Sequence, residues 1–189
     1  VSPSILQAFM ELARSDPSPM VRLYLASALQ RLPNRSRRDL VQVLATRRED
    51  TADQNIPLLI WYGMAPLVRD NPGWALKVAL NSPFPHLADF VVRWLAEDEV
   101  PQLSLILDAA MKVGDNGQAL SMLRQLRRVF RSRTQLKTPE NWSAASRAFA
   151  GSTSAEIRNL VRELSVTFGD KGAIPALRLL VMNDAAPID

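Results

Sequence analysis

Apolar residues recur along most of this chain at the three- and four-residue spacing that places them on one face of a helix. Proline, glycine and short polar clusters interrupt this pattern where helices are expected to begin and end. The scarcity of glycine, with 7 in 189 residues, and the low aromatic content of 6% also favour helix over strand. The pattern predicts eleven helices, at 3–14, 19–32, 37–47, 56–68, 72–80, 85–96, 103–113, 118–131, 139–150, 154–168 and 173–182.

Three prolines lie inside these predicted helices. Pro57 and Pro175 fit the first helical turn, where the missing N–H has no partner to lose. Pro66 lies later and is expected to end or kink its helix.

The start of the second helix carries a recognisable order of residues. Asp16 and Pro17 favour a helix start, and Val21 and Arg22 follow. This order resembles the beginning of the second helix in a HEAT repeat, and the segment 154–158 echoes it. The resemblance implies an all-α, HEAT/armadillo-like right-handed α-α superhelix, with polar links from the matching Asp and Arg along the stack. Repeats of this class span about 40 to 47 residues, so the chain is expected to hold about four to five helix pairs in one domain, 1–189.

The segment 56–68 is apolar on all sides, which predicts a central, buried helix. Trp61 and Tyr62 are therefore expected in the core. Gly63 is expected to let a neighbouring helix approach closely.

Two segments, 21–33 and 53–63, carry a resemblance to a particular family. They resemble the HEAT-like helical region of large bacterial multidomain proteins known as membrane-bound dehydrogenase-like proteins, and the resemblance covers residues 16 to 97. In that family a sugar-dehydrogenase-type β-propeller precedes the helical region, and a c-type haem domain follows it. The resemblance implies a periplasmic or otherwise extracytoplasmic connector, whose partners are other domains of its own chain or another protein.

The ends of the sequence suggest a segment of a longer protein, because it starts Val-Ser-Pro without an initiator Met. No stretch has the roughly 18 consecutive apolar residues of a membrane span, and none resembles a signal peptide. Targeting signals are therefore expected outside this segment.

Candidate chemistry is sparse. The chain has no cysteine, which excludes disulfides, thiolate metal sites and the Cys-x-x-Cys-His motif of c-type haem. His86 is the only histidine and is expected to be a partly exposed first-turn residue. Glu49, Asp50, Asp53 and Asn55 lie in one loop and have side-chain oxygens that could bind a metal ion. The loop lacks the EF-hand spacing and is expected to be a solvated loop or helix cap. No phosphate loop, nucleophile elbow or dinucleotide fingerprint occurs, so neither catalysis nor a cofactor is predicted.

Charge provides the alternative function. The net charge is +4, and basic residues without an intervening acid follow Ser121. The cluster consists of Arg124, Arg127, Arg128, Arg131, Arg133 and Lys137, and the first four share one helix face. A second cluster consists of Arg31, Arg35, Arg37 and Arg38.

Three hypotheses follow. The first is a non-catalytic helical-repeat scaffold that docks other domains or a protein partner. The second is a nucleic-acid-binding solenoid that binds phosphates with the basic face Arg124–Arg131. The four tryptophans lie among apolar neighbours and offer no exposed stacking platform for bases. The third is an enzyme that uses His86 and the loop carboxylates, which a metal ion at Asp50 and Asp53 would support.

Overall fold

The computed structural model describes residues 1–98, 102–131, 133 and 136–170. These described residues form ten α-helices and two 3-10 helices and contain no strand, which confirms the all-α prediction. The chain divides into two compact units, Val1–Pro101 and Gln102–Asp189. The predicted helix at 173–182, with Pro175, lies outside the described residues.

The first unit contains six α-helices. They are α1 (Pro3–Ser15), α2 (Pro19–Ala28), α3 (Asn34–Leu44), α4 (Ile56–Val68), α5 (Pro72–Leu80) and α6 (Pro85–Glu97). Consecutive helices contact each other as pairs, and the pairs stack so that α1 packs on α3 while α2, α4 and α6 pack side by side. Two short 3-10 helices, Leu29–Arg31 and Arg48–Asp50, extend α2 and follow α3.

The second unit repeats this arrangement. Its helices are α7 (Leu103–Lys112), α8 (Asn116–Phe130), α9 (Trp142–Ala150) and α10 (Ala155–Thr167). Here α7 packs on α9 and α8 packs on α10. Phe168 closes its core, with its ring 4.9 Å from that of Trp142 and 6.0 Å from that of Phe130.

Helix boundaries agree closely with the pattern of apolar residues. Helices α4 and α5 have the predicted limits, and Pro66 lies inside α4 two residues before its end. The helix predicted at 19–32 is α-helical only to Ala28, because its last turn tightens into the 3-10 form. The helix predicted from 139 begins instead at Trp142.

A recurring turn marks the second helix of most pairs. In this turn, the residue two positions before the N-cap uses its side-chain oxygen to accept a hydrogen bond from the backbone N–H of the N-cap residue. The four instances are Asp16 with Ser18, Asp53 with Asn55, Ser82 with Phe84 and Ser152 with Ser154, at 2.7 to 3.2 Å. The N-caps of the second helices recur every 29 to 39 residues, a shorter period than the 40 to 47 residues expected of HEAT repeats.

The turn also fixes an arginine. Arg22 and Arg158 each lie four residues after an N-cap, and each Nη1 donates to the carbonyl oxygen six residues upstream, at 2.8 and 2.6 Å. The echo between the first repeat and 154–158 therefore has a structural basis. Asp16 lies at the start of α2 but is not its N-cap, because Ser18 holds that position and the Asp16 carboxylate accepts the N–H of Ser18.

Arg22 makes the main polar link between the first two helix pairs. Its Nε and Nη2 donate to the two carboxylate oxygens of Asp50, each at 2.6 Å, and both side chains are fully buried at 2% and 1% exposure. The hydrogen bonds to Asp50 raise the pKa of Arg22 against the lowering effect of burial. The expectation of Asp50 as a solvated loop residue was wrong, because Arg22 neutralises its charge inside the unit.

Candidate interaction surfaces

One side of helix α4 is buried in the core of the first unit, and the opposite side is exposed to solvent. Ile60, Met64 and Leu67 are buried, and Gly63 lies against Leu29 as the sequence suggested. A Cβ at Gly63 would lie 2.5 Å from the Leu29 Cβ, so only glycine permits this approach.

The opposite side of α4 is exposed although it is equally apolar. Tyr62 is 53% exposed and Leu58 is 38% exposed, and Pro66 continues the same four-residue spacing. The expectation that the helix is buried all round, with Tyr62 in the core, was therefore wrong. We call the exposed residues Leu58, Tyr62 and Pro66 the α4 face.

Three aromatic rings adjoin this face at the junction of α4 and α6. The half-buried Trp61 lies 5.5 Å from Phe90 and 5.8 Å from Trp94, between ring centroids. Trp94 is 42% exposed. Tryptophan was expected only among apolar neighbours, whereas Trp94 presents its ring to solvent.

The charges beside Trp94 neutralise one another. Arg69 donates to Asp98 at 2.8 Å, which joins the end of α4 to the end of α6, and Arg93 donates to Glu97 at 2.9 Å. A shallow pocket is lined by Arg69, Trp94, Glu97 and Asp98. Beside Trp94 the surface is therefore polar, and both arginines there are paired with a carboxylate.

The predicted basic face of α8 is partly occupied by ion pairs with α10. Arg124 donates through Nε and Nη2 to Glu156, both at 2.6 Å, and Arg127 pairs with Glu163. This bidentate contact raises the pKa of Arg124 and lowers the pKa of Glu156. Glu156 and Glu163 follow their arginines by 32 and 36 residues, so the local charge pattern of the sequence does not indicate these pairs.

The other two arginines of that face, Arg128 and Arg131, are exposed, as is Arg133 just beyond the helix. Arg128, Arg131 and Arg133 have no carboxylate partner within the part of the chain that the structure describes. Three arginines near one helix end give a small basic patch rather than the continuous basic face expected from the spacing.

The second basic cluster is tied to its own unit. Arg37 donates to the carbonyl oxygens of Gln30 and Leu32, at 3.1 and 2.9 Å. Arg38 lies 5.0 Å from the centre of the Trp74 ring, a cation–π contact. Only Arg31 and Arg35 of this cluster extend freely into solvent.

The side chains considered for catalysis or metal binding do not converge. His86 is exposed and its Nδ1 lies 3.9 Å from Asp89. The Asp53 carboxylate accepts the N–H groups of Asn55 and Ile56 at the start of α4. Asp50 is occupied by Arg22. Among the described residues, no group of three or more potential metal ligands occurs.

None of the described helices is long and apolar enough to cross a membrane.

The sequence signal for the α4 face was present, since Leu58, Tyr62 and Pro66 recur every four residues in a helix without a charged residue. What sequence reasoning lacked was the identity of the helices on either side.

No protein-family model, curated protein or solved structure matches this chain.

Proposed function

We propose that this chain is a non-catalytic helical-repeat scaffold, whose α4 face docks another protein domain. We propose further that its helix pairs belong to a HEAT-like right-handed superhelix of a dehydrogenase-like, cytochrome-containing multidomain protein. The stacked pairs with their recurring turn support the repeat class. The family rests on the resemblance of residues 16 to 97.

The exposed apolar surface of α4 and α6 is the observation that carries the docking proposal. Helix α4 contains no charged residue over thirteen positions, yet Tyr62 and Leu58 point to solvent. A contiguous exposed apolar patch with a polar rim is typical of an interaction surface. Aromatic residues such as Tyr62 and Trp94 are also the types most often found at the energetic centre of interfaces.

The chemistry of the patch indicates the partner. Because Arg69 and Arg93 are each paired with a carboxylate, the rim favours neither an acidic nor a basic ligand. The surface suits an uncharged apolar segment, such as the apolar stripe of a helix in a neighbouring domain. In the proposed parent protein, that segment belongs to the propeller or the haem domain of the same chain.

Binding to the flanking domains tests this function. The test is to sequence the complete gene, express each flanking domain separately, and titrate it into the 189-residue chain by calorimetry. We expect one of them to bind, and Tyr62→Ser and Trp94→Ser to weaken that binding at least about tenfold. Val166→Ser is the matched control, because Val166 is an exposed apolar residue of α10.

Two results contradict the proposal. A gene without flanking domains of this kind removes the proposed parent family. Binding that Val166→Ser weakens as much as Tyr62→Ser removes the α4 face as the docking surface.

Nucleic-acid binding is the second candidate, supported by the exposed Arg128, Arg131 and Arg133. The pairing of Arg124 and Arg127 with carboxylates reduces the charge that this surface offers to phosphate. The salt dependence of nucleic-acid binding separates this candidate from the scaffold, because phosphate contacts make affinity fall steeply with salt.

A further inference from the structure

The first helix pair carries a second exposed apolar surface, separate from the α4 face. On α1, the residues Ile5, Ala8 and Leu12 recur at a spacing of three and four, and all three are exposed. This is the spacing of a helix–helix seam. On α2, Met20 and Tyr24 are exposed four residues apart.

These residues lie on the open side of the first pair. The side of α1 that faces α3 is identified by the pocket between them, to which α1 contributes Leu6, Gln7, Phe9 and Met10. On a helical projection, Ala8 and Leu12 lie opposite these four residues, and Ile5 lies at the edge of that opposite side, next to Phe9. In α2, Tyr24 lies opposite the buried Arg22 and Ala26. Since α3 and α4 cover one side of the pair, the exposed stripes belong to the other side.

Such a side is shaped to receive another helix pair. Within the first unit, the α1–α2 pair already packs on the α3–α4 pair through α1 with α3 and α2 with α4. A second pair placed on the open side would bury it by helix-on-helix packing, as the α3–α4 pair buries the other side. Residues 5, 8, 12, 20 and 24 carry no charge, and the charge nearest the α1 stripe is the exposed Glu11, whose carboxylate accepts a hydrogen bond from Gln7.

The area is sufficient for a modest dimer. Ile5, Leu12, Met20 and Tyr24 are exposed by 39 to 70%, which for side chains of this size is on the order of 400 Å² of apolar surface. A standard interface buries about 800 Å² on each partner, of which slightly more than half is apolar. The exposed stripes therefore supply most of the apolar surface that such an interface needs.

We propose that the open side of the α1–α2 pair is a self-association surface, on which a second copy of this chain packs pair against pair. The contact is isologous, with the Ile5–Leu12 stripe of one copy against that of the other. This surface is separate from the α4 face, so an experiment can disprove either proposal without affecting the other.

Sedimentation velocity between about 1 and 200 µM tests the association. We expect a reversible dimer, and we expect Tyr24→Glu to weaken dimerisation at least about tenfold by burying a charge. The matched control is Tyr62→Glu, the same substitution at another exposed tyrosine, which should leave dimerisation unchanged. A chain that stays monomeric over the whole range, or a dimer weakened equally by both substitutions, overturns the proposal.

Cross-linking provides a second readout that does not depend on affinity. The chain has no cysteine, so Ala8→Cys introduces a single thiol at the centre of the stripe. In the proposed dimer, Ala8→Cys is expected to form a disulfide-linked pair under mild oxidation, whereas Ala148→Cys on the exposed side of α9 is not. Dimers that form without Ala8→Cys cross-linking, or equal cross-linking of both variants, contradict the α1 contact.

Discussion

The buried pair of Arg22 and Asp50 makes the sharpest prediction about the stability of this fold. Arg22 donates two hydrogen bonds to the Asp50 carboxylate and one to the carbonyl oxygen of Asp16. The substitution Asp50→Ala removes both carboxylate oxygens and leaves a guanidinium that is 2% exposed. Arginine does not release its proton under such conditions, so the buried charge remains without a counter-ion.

The expected loss is large compared with that of the neighbouring turn. Removing one partner of a buried ion pair costs about 3 to 5 kcal/mol. Asp16→Ala is the matched control, because it removes a single carboxylate bond to the Ser18 N–H and keeps the carbonyl that Arg22 uses. We expect that control to cost only about 0.5 to 1.5 kcal/mol.

Replacing both partners separates the charge from the packing. The double substitution Arg22→Met with Asp50→Leu removes the charges together and fills similar volume with apolar atoms. Because a buried pair often contributes little over such a replacement, we expect the double variant to be more stable than Asp50→Ala alone.

Urea unfolding at neutral pH measures these differences. Tryptophan fluorescence reports mainly on the first unit, since Trp61, Trp74 and Trp94 lie there and only Trp142 lies in the second. The reasoning is refuted if Asp50→Ala loses less than about 1 kcal/mol, or if Asp16→Ala loses as much as Asp50→Ala.

Three further predictions follow from other contacts. Gly63→Ala should destabilise the fold by about 1 to 3 kcal/mol despite the better helix propensity of alanine, because the new methyl group overlaps Leu29. A variant that is stabilised in a urea melt would show that the two helices can separate without cost. Because Arg124 lowers the pKa of Glu156, the pair stabilises the fold above the unfolded-state pKa of glutamate and loses that contribution as pH falls through the lower folded pKa. The carboxyl carbon of Glu156 should therefore titrate below an ordinary glutamate by NMR, and a normal midpoint would mean that the pair is absent in solution. If the basic patch binds nucleic acid, the log–log salt slope should change by about 0.9 for each duplex phosphate neutralised; we expect only weak binding at physiological salt, and tight binding that Arg128→Glu abolishes would favour the second candidate function.

Most of the helical content could be predicted from the sequence. The limits of α4 and α5 follow from apolar periodicity and from prolines that fit a first turn. The close approach at Gly63 was also evident, because a glycine in an otherwise bulky apolar helix indicates contact with another backbone or side chain. These features depend on residues within one or two turns of each other, so a local pattern is sufficient.

The tertiary structure decided which of those side chains are buried, paired or exposed. Asp50 is 28 residues from Arg22, and Glu156 is 32 residues from Arg124, so neither ion pair has a local signature. The same holds for Tyr62, whose helix is apolar on every side. Its exposure depends on which sides of α4 the helices α2, α3, α5 and α6 cover, and among the described residues they leave the Tyr62 side open. Helix formation is a property of neighbouring residues, whereas burial and charge pairing depend on which distant helix packs alongside.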